Sequence, residues 1–153
     1  LDRHEVVELY QLRQQLEGIA ARFAAQHAST AEIAEMDRIL ARSVAAADDR
    51  RGLNQINWEF HKAIYSAAHN RFFLRSIAAI SDEMALLKGI KYIPEGRAAE
   101  LYQEHLRILD AIRARDPEAA DAAAQAHIEM SLRVHLQTGW QGNQVPGGVS
   151  TTS

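Results

Sequence analysis

The stretch that most constrains the fold is residues 104–130, EHLRILDAIRARDPEAADAAAQAHIEM. Asp is favoured as a helix N-cap and Pro at the first helical position, so Asp116-Pro117 predicts two helices joined by a tight turn. His105 precedes Asp116 by eleven residues, and His127 follows it by eleven. At ~1.5 Å per residue, both imidazoles lie roughly 16 Å from the turn. In an antiparallel hairpin they therefore face each other.

The neighbouring apolar residues predict that both histidines point inward, because they recur at helical spacing on the same faces. The predicted inward stripes are Leu101, His105, Ile108 and Ile112 on the first helix, and Ala120, Ala123, His127, Met130 and Val134 on the second. Burying an imidazole without a hydrogen-bond partner costs on the order of 1–3 kcal/mol. Two histidines directed at one point of a helical interior therefore require a common explanation.

Composition limits the classes of protein to consider. A chain of 153 residues that is 47% apolar is long enough for one globular domain. The absence of cysteine excludes disulfides and thiolate metal sites, and a net charge of −3 gives no basic surface for nucleic acid or an anionic membrane. No apolar run approaches ~20 residues, and the charged start LDRHEVVELY is not a signal peptide. We expect a cytoplasmic protein with no membrane partner.

Helix-breaking residues divide the chain into about six helices, and no segment alternates like a strand. The first four are predicted at roughly 4–27, 30–47, 52–68 and 71–89, the fifth after Pro94-Glu95-Gly96 and the sixth from Pro117 to about 138. Short links between them predict an all-α antiparallel bundle with a central ligand or metal cavity. Residues 139–153 are rich in Gly, Pro, Ser and Thr, so we expect a disordered tail.

The first helix carries an apolar stripe that we predict to face inward. Its members are Leu9, Leu12, Leu16, Ile19 and Phe23. Arg13 and Glu17 lie one position around from this stripe at i,i+4 spacing. The spacing alone favours a surface ion pair worth a few tenths of a kcal/mol.

A third histidine, His61, lies beside the inward stripe of the third helix, with Asn57 one turn before it. Alone, this pair is typical of hydrogen-bonded residues at the boundary of a core, and each histidine alone is typical of a satisfied polar group. Together, His61, His105 and His127 favour a shared divalent cation, which would satisfy all three rings at once. Three histidines and an oxygen donor suit Zn, Ni, Co, Mn or Fe rather than Ca or Mg.

Three segments resemble one known family. LYQLRQQLEGIAARFAA in the first helix, NWEFHKAIYSAAHN in the third and EHLRILDAIRARDPEAADAAAQAHI in the hairpin resemble the ligand-binding (FCD) domain of GntR-type transcription regulators, in the FadR branch. The hairpin is the most specific of these, because its EH, its Asp-Pro turn and its closing His occur at the family's spacing. The likeness covers residues 5 to about 135, so we assign 1–138 to the domain. Six helices are similar to the compact VanR-like subgroup.

The resemblance implies a bundle that binds a small organic acid, often beside a divalent metal held by an acidic residue and three histidines. At the matching positions the metal ligands would be Asn57, His61, His105 and His127. Asn57 departs from the Asp that is more usual in the family, so metal affinity should be lower. The resemblance also implies that Arg13 holds the effector's carboxylate, which replaces the surface-pair interpretation. Ser131, one turn beyond His127, could add a hydrogen bond.

The resemblance further implies a homodimer and an N-terminal winged helix-turn-helix domain that binds operator DNA. No such domain precedes Leu1, and we expect an effector domain excised from a longer regulator rather than an enzyme. Two alternatives stay open. One is a helical-bundle metalloenzyme, a hydrolase or lyase, with a metal-bound water of pKa near 7 and Glu17 as its acid or base. The other is a purely structural metal in a dimerisation module.

Overall fold

The computed structural model of the chain describes residues 1–88 and 93–139, which form six helices and, within those ranges, no strand. The helices are α1 Arg3–His27, α2 Thr30–Ala45, α3 Arg50–Ala67, α4 Arg71–Lys88, α5 Arg97–Arg113 and α6 Pro117–Gly139. The prediction of an all-α bundle is therefore confirmed. The predicted tail lies, apart from Gly139 at the end of α6, outside the described residues.

Short polar side chains begin five of the six helices by accepting hydrogen bonds from backbone N–H groups of the first turn. The capping residues are Asp2, Ser29, Asp49, Asn70 and Asp116. The sixth, α5, follows Gly96 at φ +83°, a backbone conformation that glycine adopts without strain. These local signals fix where each helix starts, and with it the level at which its inward residues lie.

Helix α6 packs along α1 and antiparallel to α5. The α5–α6 hairpin turns through residues 114–116, as Asp116-Pro117 predicted. Ile108 and Ile112 of the predicted α5 stripe are fully buried, and so is Ala120 on α6. Met130, predicted to face inward, is 37% exposed, because the buried face of α6 runs through Ala124 and Ile128 instead.

The orientation predicted for α1 is wrong by about one residue position. Leu12 and Ile19 are exposed, whereas the inward face contains Tyr10, Arg13 and Glu17. The α1 face towards α6 is built from small residues that allow the two helices to approach closely. They include Gly18, Ala21 and Ala25, which share a face of α1 at helical spacing. A methyl group added at Gly18 would lie 2.2 Å from the Asp121 carboxylate of α6.

The apolar core consists of two clusters. The larger joins all six helices, and the smaller contains Val6, Tyr10, Met84, Leu87 and Ile128 at the other end of the bundle. Buried polar side chains of α1, α3, α5 and α6 belong to neither cluster; they are Arg13, Glu17, His61, Arg97, His105 and His127. This polar group interrupts an otherwise apolar interior.

Within the described ranges, no helix combines the length and apolar character needed to cross a bilayer.

Replacement of Ile112 by alanine should lower the free energy of unfolding by about 2–5 kcal/mol, because the side chain is fully buried in the larger cluster. Val44→Ala is the control: Val44 is 56% exposed on α2, and its loss should change stability by no more than about 0.5 kcal/mol. Urea denaturation followed by circular dichroism measures both. Equal effects of the two substitutions would contradict the packing described here.

Candidate metal and effector site

Three histidines from three helices meet at one point in the interior. His61 comes from α3, His105 from α5 and His127 from α6, and each is less than 5% exposed. The Nε2 atom of His127 lies 3.2 Å from Nε2 of His105 and 3.2 Å from Nε2 of His61. One nitrogen from each ring lies within 4.8 Å of the other two. The predicted convergence of His105 and His127 across the hairpin is thus present, with His61 completing it.

Two of these rings are held from behind by carboxylates. Nδ1 of His61 donates to Oε2 of Glu17 at 3.1 Å, and Nδ1 of His127 donates to Oε1 of Glu104 at 2.8 Å. An ionised carboxylate only accepts hydrogen bonds, so each Nδ1 must carry the proton. Neutral rings in this tautomer present an Nε2 lone pair towards the centre. Carboxylates behind imidazoles are the usual second shell of histidine metal sites.

The pKa values support these protonation states. Burial alone would raise the pKa of Glu17, but His61, Arg13 and Tyr65 lower it to about 2. Burial would likewise raise the pKa of Glu104, and the hydrogen bonds from His127 and Arg97 lower it. Both carboxylates are therefore ionised at neutral pH.

His105 and His127 are neutral for the opposite reason. Burial, with the nearby rings of His127 and His61, holds the pKa of His105 well below its ordinary value. Burial and His61 lower the pKa of His127 to about 4, despite its bond to Glu104. At neutral pH these two rings therefore do not gain a second proton, and each keeps one nitrogen as a lone pair.

The three rings cannot satisfy one another. With its Nδ1 proton on Glu104, His127 offers one Nε2 lone pair to two rings at 3.2 Å, so it can accept a well-aligned hydrogen bond from only one of them. A cation bound by the facing nitrogens would satisfy all three rings together. Nitrogen ligands of a tetrahedral ion bound at ~2.05 Å lie ~3.3 Å apart, close to the two separations of 3.2 Å that His127 makes with His105 and His61. The donor set therefore fits a divalent transition metal.

Arg13 and Glu17 do not form the surface pair that their spacing alone suggested. Arg13 is 4% exposed and Glu17 is 2% exposed, with the Arg13 Nε atom 3.4 Å from Oε1 of Glu17. The hydroxyl of Tyr65 donates to the same carboxylate oxygen. Spacing could not reveal this, because the i,i+4 relation is the same on either face of a helix.

A cavity of about 350 Å³ adjoins the histidines. Arg13, Asn57 and Ser131, the predicted ligand and metal residues outside the histidines, all lie on its wall. Asn57 is half-buried one turn before His61, and the Ser131 hydroxyl donates to the backbone carbonyl of His127 at 3.0 Å. Roles for these three residues stay predictions. Further polar wall residues are Tyr10, Asn54, Gln55, Arg97, His135 and Thr138.

Sequence reasoning missed Glu104, Arg97 and Tyr65. Arg97 and Glu104 are seven residues apart on α5, and Tyr65 follows His61 by one turn on α3, so spacing placed each near an inward face. Charged residues at such positions are usually solvated, and nothing in the sequence marked these as exceptions. Glu17 was considered as a surface partner of Arg13 and as a catalytic acid or base, but not as the residue that orients His61.

Comparisons with known proteins agree with this architecture. The family model described as the FCD domain matches residues 8–130. The galactonate operon transcriptional repressor of Escherichia coli K12 is 29% identical over 133 residues, which are 86% of this chain and 58% of that protein. The HTH-type transcriptional repressor NanR of Salmonella typhimurium LT2 is 32% identical over 127 residues, 80% of this chain and 48% of that protein.

The solved structure of E. coli McbR/YncC superposes with a TM-score of 0.79 and 18% identity, covering 90% of this chain and 70% of that one. At this identity the likeness shows the fold alone. The chain spans about half the length of the curated relatives described above.

These findings decide between a regulator and a metalloenzyme, since the relatives are transcriptional repressors. The prediction that the protein is not an enzyme is confirmed, whereas the VanR-like subgroup stays a prediction. With its family match over residues 8–130 and its six-helix bundle, the chain belongs to the FCD family, the effector-binding domains of GntR-type transcription regulators.

Proposed function

We propose that this domain binds one divalent transition metal, Zn, Ni, Mn or Fe, and a small organic acid beside it. His61, His105 and His127 are the nitrogen ligands, and Asn57 is an oxygen ligand from the cavity wall. The observation that carries the proposal is the convergence of three buried imidazoles, whose facing nitrogens lie within 4.8 Å of one another and suit coordination of a single cation. When bound, the metal would supply positive charge and a coordination position for a carboxylate oxygen.

The cavity favours an acid that also carries hydroxyl groups. Its volume of about 350 Å³ lies within the range of small-molecule sites. Arg13 supplies the planar fork that suits a carboxylate, and the amides of Asn54, Gln55 and Asn57 can both donate to and accept from hydroxyls. One relative represses a galactonate operon, so D-galactonate is a sensible first probe.

The signal would pass to DNA through parts of the full-length protein beyond this domain. Effector binding biases a helix arrangement only through different affinities for two states. We propose an attached winged helix-turn-helix domain that binds operator DNA, a cytoplasmic location and a homodimer. Leu12 and Ile19, exposed on α1, would give a second copy an apolar surface to contact.

Protein purified without chelators or a metal-affinity column should contain about one equivalent of a transition metal per chain by elemental analysis. His105→Ala should remove most of that metal, because it deletes one of the three buried nitrogen ligands. His69→Ala, which removes an exposed histidine paired with Glu32, is the control and should leave metal content unchanged. Metal-free protein that gains no thermal stability with Zn²⁺ or Ni²⁺ would contradict the proposal.

Asn57→Asp should raise Zn²⁺ affinity about tenfold or more, since a charged oxygen ligand replaces a neutral one. Asn54→Asp places the same charge on the same helix and the same cavity wall, three residues away. It should change the affinity much less. Competition with a chromophoric chelator measures both, and equal gains would show that Asn57 acts only through local charge and is not a ligand.

Arg13→Lys should weaken acid binding by at least about tenfold, because lysine keeps the charge but loses the bidentate fork. Calorimetric titration of metal-loaded protein with D-galactonate and other hydroxy acids measures the affinity. Arg22→Lys, on the same helix but in a surface pair with Asp121, is the control and should bind like the wild type. An unchanged affinity in Arg13→Lys would exclude Arg13 as the carboxylate group, and no binding of any acid would exclude the effector class.

A further inference from the structure

Glu104 occupies an unusual position between a cavity residue and a candidate metal ligand. Its Oε1 accepts from Nδ1 of His127 at 2.8 Å and from Nη2 of Arg97 at 3.0 Å, and its Oε2 accepts from Nη1 of Arg97 at 2.6 Å. The carboxylate is thus held by both arms of one guanidinium. Its side chain is 12% exposed and that of Arg97 is 5% exposed, so water competes little for these bonds.

Among the three rings, the orientation of His127 has the greatest effect on the distances between the facing nitrogens. It alone makes both of the close Nε2 contacts, one with His61 and one with His105. A small rotation of this ring would move its Nε2 away from both neighbours together. The bond from Nδ1 to Glu104 opposes that rotation and keeps the proton on Nδ1, which leaves Nε2 as a lone pair.

We propose that Glu104 is the positioning residue for His127 in metal binding, and that Arg97 holds Glu104 in place from the cavity wall. The inference rests on the proposed metal site and adds two residues that the ligand set does not contain. Glu104 fixes the tautomer of His127, orients the ring and raises its basicity as a ligand. Outer-shell partners of this kind change metal affinity by about 10–100-fold in other sites.

The first test compares two isosteric substitutions on α5 with Zn²⁺ as the probe. Glu104→Gln should weaken Zn²⁺ binding by about 10–100-fold in a chelator competition assay. Glu100→Gln is a close control, since Glu100 also pairs with Arg97, at 2.9 Å, but is 65% exposed and lies outside the site. It removes the same charge and should stay within about threefold of wild type, as expected of a surface ion pair.

The second test reads the tautomer directly in metal-free protein labelled with ¹⁵N-histidine. In the wild type, NMR should show His127 protonated on Nδ1, whereas Glu104→Gln should shift the proton towards Nε2. A general loss of stability would not produce this change in a folded variant. Should Glu104→Gln fail to fold, Arg97→Lys takes its place, because it keeps the charge, loses the fork and should weaken Zn²⁺ binding less than the Gln variant is expected to.

The outcomes separate the two proposals. Wild-type protein that does not bind Zn²⁺ overturns the metal site itself. Wild-type protein that binds Zn²⁺, with an unchanged affinity and tautomer in Glu104→Gln, overturns only the positioning role. Equal losses in Glu104→Gln and Glu100→Gln also overturn it, because the cause would then be net charge rather than contact with His127.

Discussion

The structure depends on how three buried imidazoles are held with one nitrogen of each ring facing the same point. The Nε2 atom of His127 lies 3.2 Å from Nε2 of each neighbour, and its one lone pair can accept a well-aligned hydrogen bond from only one of them. Rotation of these rings would move their facing nitrogens apart. Ionised Glu17 and Glu104 prevent this for two of the rings by accepting their Nδ1 protons. The orientation of these two rings therefore depends on hydrogen bonds to residues around the histidine cluster.

Each of these carboxylates is in turn balanced by an arginine of the cavity wall. Arg13 lies beside Glu17, and Arg97 donates hydrogen bonds to Glu104 from both terminal nitrogens of its guanidinium. Burying an unpaired carboxylate would cost several kcal/mol, so these pairings offset the free-energy cost of placing charged side chains inside the bundle. Each arginine of the cavity wall thus contacts a carboxylate that in turn accepts a hydrogen bond from a histidine. A change at either arginine would therefore affect the orientation of one ring.

The sequence predicted those parts of the site that follow from local signals. The Asp116-Pro117 turn and the equal distances to His105 and His127 defined the hairpin register, because helical rise is nearly constant. The orientation of α1 was not predictable in this way. Large apolar residues such as Leu12 suggested the wrong face, since close packing on α6 requires small residues and the site requires Arg13 and Glu17 inside. Glu104 was missed because its role arises only from the contact across the hairpin.

The same pairings argue against catalysis on grounds independent of the relatives. A metal-dependent hydrolase or lyase generally needs a group that exchanges a proton near neutral pH. Glu17, the acid or base considered for that role, has its pKa lowered to about 2 and accepts hydrogen bonds from His61, Tyr65 and Arg13. It can neither release a proton at neutral pH nor readily take one up. The hydrogen bonds of both carboxylates go to histidines and arginines, an arrangement that suits the binding of a ligand better than the transfer of protons.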